Sequence, residues 1–206
     1  LPLLIKDWRH RWKDDFSFYF VQLANFRQPS PEPGNNDPWP LLQDRMRRIL
    51  ETTAGTGMAV INDVGEANDI HPKNKHDVGR RLALWALAKD YNQKRVYSGP
   101  LFQEAKIKNG SIEVRFNHTG KGLKARDHQP LRRFEIAGKD GVWKWAKAEI
   151  IAPDTVSISS DEVDRPVAVR YAWAANPEGA NLVNSEGLPT SVFRTDDWED
   201  VSPNPR

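Results

Sequence analysis

Leu1, Leu4, Ile5, Trp8 and Trp12 recur at helical spacing, so the chain is expected to open inside a helix with no capping residue ahead of it. Phe16 to Ala24 is an almost unbroken apolar run, the pattern of a strand buried on both faces of a parallel sheet. Gln28 to Pro38 is rich in Pro, Gly and Asn and reads as a loop, long enough to suggest a part in a site. A second helix is predicted to start between Asp37 and Pro40, with Leu42, Met46, Ile49 and Leu50 on its apolar face. A second strand spans roughly Gly57 to Val64. A third helix starts near Asn74 and carries Val78, Leu82, Leu84, Trp85, Leu87, Ala88 and Tyr91 on a broad apolar face.

Helix, strand, helix, strand, helix over residues 1–94 argues for a parallel α/β sheet. Two strands do not make such a sheet alone, so further strands are expected upstream of Leu1 or on a partner chain. A start on Leu1, within a helix, reads as a cut end.

From Val96 the period changes. Ala105 to Phe116 reads as a hairpin closed by Asn109-Gly110 in a type I′ turn. Leu131 to Ala137, Val142 to Ile151, Thr155 to Ser159 and Pro166 to Ala174 follow as short strands. Strands at this spacing, without helical patterning, predict an antiparallel β-sandwich over residues 95–195. Residues 196–206, acidic and Pro-containing, read as a flexible tail.

Composition narrows the function classes. A net charge of +2 from 30 basic and 28 acidic residues, with no basic stripe, gives no reason to expect nucleic acid. No apolar run reaches membrane-spanning length, so no membrane partner is expected from it. The absence of cysteine removes disulfides, a thiol nucleophile and cysteine zinc sites. His76 stands five residues after His71, which is not the spacing of a helical metal pair, and no metal or cofactor is expected.

The chemistry concentrates in Met58 to Pro72, where an apolar strand runs into a polar loop presenting Asp69 and His71. Open α/β sheets place their sites there, outside the carboxyl ends of the strands. A histidine acts as general base when a carboxylate fixes its tautomer through the far ring nitrogen, and Asp69 is near enough to do so. Alone, Asp-x-His is a weak signal and reads more readily as a solvated loop pair, with Pro72 preparing the helix.

The wider text bears on that choice. Val21-Gln-Leu-Ala-Asn25, Gly57-Met-Ala-Val60, Asp63-Val-Gly-Glu-Ala-Asn-Asp-Ile-His-Pro-Lys-Asn-Lys75, Val78 to Ala88 and Ser98-Gly-Pro-Leu101 together resemble the sialate O-acetylesterases, a family of Ser-Gly-Asn-His (SGNH) hydrolases. The resemblance continues through Phe134-Glu-Ile-Ala-Gly138, Val167 to Trp173, Glu186-Gly-Leu-Pro189 and Phe193-Arg-Thr-Asp196, and Asp-Ile-His-Pro-x-Asn-Lys is its most specific part. It implies the C-terminal part of a flavodoxin-like SGNH-hydrolase parallel sheet followed by the sandwich. It also implies that Asp69 and His71 are the carboxylate and base of a catalytic triad. The family's nucleophilic serine belongs to a Gly-Gln-Ser-Asn segment and its oxyanion-hole asparagine to a Gly-Glu-Ser-Asn segment, and neither string occurs here. The partners so implied are an O-acetylated sugar substrate and a segment or chain bearing the serine, in a secreted or periplasmic setting.

Gln22 and Asn25 end the first strand on the sheet edge of Asp69 and are candidate substrate-binding residues, or equally loop-stabilising ones. Trp143 and Trp145 share one strand face, which suits core or cross-strand packing more readily than stacking on a sugar. His10, His118 and His128 are isolated surface candidates. The alternative to the esterase is a non-catalytic carbohydrate-binding or scaffolding chain in which the sandwich is the working part.

Overall fold

The computed structural model describes residues 1–198. Its first half contains α1 (Pro2–Trp12), β1 (Phe18–Val21), α2 (Pro38–Thr52), β2 (Thr56–Ala59) and α3 (Lys75–Lys89). As the sequence suggests, Leu1 offers α1 no side-chain cap, and Lys13 closes the helix in the left-handed conformation. Only Ile5 of α1 is buried, whereas Leu3 and Trp12 are largely exposed and Leu1, Leu4 and Trp8 partly so. Arg9 fastens the helix to the sheet by donating to the carbonyls of Phe16 and Ala54.

β1 and β2 pair in parallel, Phe18 opposite Thr56 and Val21 opposite Ala59. Side chains alternate across such a pair. Phe20, Met58 and Val60 pack with Ile49, Met46 and Leu50 of α2, while Val21, Ala59 and Ile61 pack with Val78 and Leu82 of α3. The helices therefore cover opposite faces. Asp37 caps α2 by accepting from Trp39 N at 2.8 Å, and Asn74 caps α3 by accepting from Asp77 N at 3.0 Å. Trp85 of α3 lies so close over Gly57 that a Cβ there would meet its ring at 2.6 Å, which fixes glycine at that position.

Two expectations about helix faces fail. Leu42 is 49% exposed, and α2 instead buries Gln43, Asp44 and Arg47, with Asp44 accepting from Arg47 at 3.0 Å and from Arg48 at 2.8 Å. A hydrophobic count misses such a face because the charges neutralise one another within the helix. Tyr91 falls beyond the end of α3 and is exposed.

The second half holds β3 (Leu101–Lys108), β4 (Ser111–Asn117), β5 (Leu123–Ala125), β6 (Phe134–Ala137), β7 (Trp143–Trp145), β8 (Lys147–Ala152), β9 (Thr155–Ser159), β10 (Ala168–Tyr171), β11 (Leu182–Asn184) and β12 (Phe193–Arg194). They form two four-stranded antiparallel sheets, β3-β4-β9-β8 and β12-β10-β6-β7, and a pair β11-β5. Ile112, Val114 and Phe116 from the first sheet meet Phe134, Ile136, Val169, Tyr171 and Phe193 from the second in one core cluster. The molecule is thus a mixed α/β structure with few helices and several antiparallel sheets.

Val142 to Ile151, expected as one strand, is two. β7 pairs with β6, and past Ala146 the chain crosses to the other sheet, where β8 pairs with β9. Asn109-Gly110 closes the β3–β4 hairpin, but only Gly110 has positive φ, so the turn is not type I′. Of the expected tail, Asp196 is buried and accepts from Arg170 at 2.8 and 2.9 Å; residues 199–206 lie outside the described residues. Among the described residues no helix is long and apolar enough to cross a membrane.

Candidate active site

Because β1 and β2 run in parallel, the segments leaving their carboxyl ends emerge on one edge. Past that edge the strands stay in register through single bridges: Phe26 pairs with Glu66, and Arg27 N donates to Ala67 O at 3.0 Å. Asn25 Oδ1 accepts from Gly65 N at 2.6 Å, and no Cβ fits at Gly65, since it would lie 1.9 Å from the Asn25 carbonyl. Glu66 then folds the loop on itself. It bridges to Asp69 and accepts from Lys73 N at 3.1 Å and Lys73 Nζ at 3.0 Å.

That turn brings Asp69 and His71 together. Asp69 Oδ1 accepts from the backbone N–H of His71 at 2.8 Å and stands 3.3 Å from His71 Nδ1, at the long end of hydrogen-bond range. The bond from the His71 backbone, then that from its ring, holds the Asp69 carboxyl below the usual carboxylate range. Both side chains are open to solvent, Asp69 by 46% and His71 by 84%. Among the described residues no serine hydroxyl is hydrogen-bonded to the His71 ring.

The two substrate-binding candidates part company. Asn25 lines a groove of about 500 Å³ between the halves of the molecule, together with Asn62, Gly65, Ala67, Arg126 and Asn176. Gln22 does not line it. It is buried, donating to Gln43 O and Ser191 Oγ at 2.9 Å, and so ties the α/β half to the β-rich half. The groove's far wall had no signal in the sequence. Asn176 enters through Asn25 Nδ2, which donates to Asn176 Oδ1 at 3.1 Å, and Arg126 through its ion pair with Asp63.

The tryptophans hold structure. Trp143 lies against the Arg170 guanidinium at 4.1 Å and walls in Gly34, while Trp145 donates to Pro31 O at 3.2 Å. His118 is only partly exposed. It packs on Tyr97, and burial pushes its imidazole below the ordinary range. Among the described residues, no group of three or more His, Asp and Glu side chains converges as a metal set.

No protein-family model matches the chain. It is 29% identical to the mouse (Mus musculus) sialate O-acetylesterase, over 85% of its own length and 36% of that protein's. It also superposes on the crystal structure of a novel carbohydrate acetylesterase from Xanthomonas citri with a TM-score of 0.89 and 42% identity, covering 96% of this chain and 45% of that one. This chain is similar to a sialate O-acetylesterase and to a carbohydrate acetylesterase. It spans less than half the length of both relatives. At 42% identity the likeness to the carbohydrate acetylesterase extends beyond backbone shape.

Proposed function

We propose that this chain is part of a serine-dependent carbohydrate O-acetylesterase, removing O-acetyl groups from sialic acid or a related acetylated glycan. The observation that carries the reading is the Asp69 carboxylate on the Nδ1 side of His71, at the carboxyl edge of a parallel strand pair. That arrangement favours the tautomer with Nε2 free to take a proton. His71 takes the proton of the serine hydroxyl as the serine attacks the acetyl carbonyl, then returns it to the departing sugar hydroxyl. It next draws a proton from water, which releases acetate and restores the serine. Asp69 orients the imidazole and stabilises its charged form.

The serine comes from a segment or chain carrying the Gly-Gln-Ser-Asn string, and the same element covers the site. An imidazole 84% exposed is poorly placed to make use of oxyanion stabilisation, which works in sites closed to water. In the finer fold reading, β1, β2 and their helices are the C-terminal part of a flavodoxin-like SGNH sheet, and the β-rich half is an appended sandwich. A second reading, a carbohydrate-binding or scaffolding chain, draws on the polar groove between the halves.

Turnover of a chromogenic acetate ester separates them. The 206-residue chain alone should be inactive, and adding the serine-bearing segment should produce acetate. A complemented protein that binds sugar but releases no acetate belongs to the second reading.

A further inference from the structure

We propose that Glu135 is a positioning residue for the Asp69–His71 loop. It acts through the strap of residues 26–34, which is closed while Glu135 is neutral and loosens once it ionises. The consequence for catalysis rests on the esterase reading; the strap and its clasp do not.

The strap has no helix or strand of its own, and it ties two distant places together. One end is fixed to the reacting loop. Arg27 N donates to Ala67 O and Gln28 Nε2 to Asn68 Oδ1, each at 3.0 Å, and Asn68 immediately precedes Asp69. The other end lies on the outer face of the β12-β10-β6-β7 sheet. Phe134 and Ile136 point into the core, so Glu135 between them faces the strap. There Glu135 Oε2 accepts from Gly34 N at 3.0 Å, Arg133 donates to Ser30 O at 2.8 Å and Trp145 to Pro31 O at 3.2 Å. Gly34 has a φ of +77°, and a Cβ there would stand 3.2 Å from Trp143, so the backbone closes on the sheet where a side chain hardly fits.

Glu135 is buried, and its charged neighbours are turned to other partners. Arg170, opposite it on β10, directs Nε and Nη2 to Asp196 and lies between Trp143 and Trp173. Arg194 of β12 stands 3.8 Å from the same Asp196 carboxylate. Arg133 directs Nε to Glu178 O and Nη1 to Ser30 O. Burial raises the Glu135 carboxyl to about 7; the bond from Gly34 N and the charges of Arg170 and Arg133 oppose the rise, and Asp196 adds to it. With the strap open, water reaches the carboxyl and its ordinary 4.5 applies. A carboxyl that titrates higher closed than open stabilises closure at low pH and loses that contribution as pH rises through about 7. Gln28 is only six residues before Gly34, so release at Gly34 loosens the bonds to Ala67 and Asn68 that brace the turn holding His71.

The first test is NMR on the 206-residue chain carrying His71→Ala, in which the imidazole adds no titration to the loop, from about pH 5 to about pH 9. The amides of Gly34 and Ala67 and the Asn68 side chain should shift together, with one midpoint near 7. Glu135→Gln keeps an acceptor for Gly34 and should abolish that titration at all three sites. Trp145→Phe removes the bond to Pro31, weakens closure and should move the midpoint down. A titration that stops at Gly34, or shifts that persist in Glu135→Gln, would overturn the inference. So would a midpoint that Trp145→Phe leaves unmoved, a result that stands even if Glu135→Gln does not fold.

The second test is kcat in the serine-complemented protein with His71 intact. The ratio of parent to Glu135→Gln should fall severalfold from about pH 6 to about pH 8, with KM nearly constant. A constant ratio in an active protein would overturn the positioning role. An inactive parent would count against the esterase reading, and the NMR midpoint would still decide the clasp.

Discussion

Asp63 lies between Arg81 of α3 and Arg126 of the β-rich half, its Oδ2 2.9 Å from Arg81 Nη2 and 2.6 Å from Arg126 Nη2. Asp63 and Arg81 are almost wholly buried, so the carboxylate compensates a charge that water does not reach. Asp63→Ala should therefore destabilise the protein by about 3 to 5 kcal/mol, the usual result of leaving a buried cation unpaired. Chemical denaturation checks this, and Arg126→Ala, at the exposed end of the triad, should cost far less.

Glu135 gives the pH dependence. Burial raises its carboxyl from an ordinary 4.5 to about 7, against the opposing bond from Gly34 N at 3.0 Å. A carboxyl with a raised folded-state pKa binds more protons folded than unfolded, so stability falls as pH rises between those two values and levels off above them. Glu135→Gln keeps an acceptor for Gly34 and removes the titration. Thermal melts should show the variant gaining on the parent between pH 5 and pH 8, by on the order of 2 kcal/mol. A difference that does not change with pH over that window would contradict this.

The first cause of the low Asp69 pKa is the backbone N–H of His71, and substitution of the imidazole leaves that group in place. In His71→Ala, Asp69 should still titrate below an ordinary carboxylate by carbon-detected NMR. A return to the ordinary value would mean that the imidazole, and not the turn, holds the carboxylate.

The sequence located the parallel strand pair, its two helices and the Asp69–His71 turn because each depends on local signals: period, caps at Asp37 and Asn74, and residues two apart. It missed what depends on distant partners. Leu42 has the spacing of a buried face yet is exposed, and Gln43, Asp44 and Arg47 are buried instead, because charge pairing within a helix leaves no apolar period. The strand switch at Ala146 has no punctuating Gly or Pro, so two strands read as one. β5 and β11 are three residues each, too short to show a period. Gln22 and Asn25 look alike at the end of one apolar run, yet only Asn25 reaches the groove, since Ser191, far along the chain, engages Gln22.

The division near residue 95 is a proposal with its own test. The main core draws on residues between Phe102 and Phe193, so a fragment of residues 95–198 has the hydrophobic cluster it needs. It should unfold cooperatively on heating, at a lower temperature than the whole chain because the bonds from Gln22, Asn62 and Asp63 are lost. A fragment without a cooperative transition would show that the β-rich half depends on the α/β half.

His71 is proposed above as the general base of an acetylesterase. The direct measurement is kcat/KM for acetate release by the serine-complemented protein and its His71→Ala variant, each checked for native folding. The variant should lose roughly three orders of magnitude or more, as for members of a triad that act as a unit. Hydrolysis that survives His71→Ala within tenfold would contradict it and place the base elsewhere.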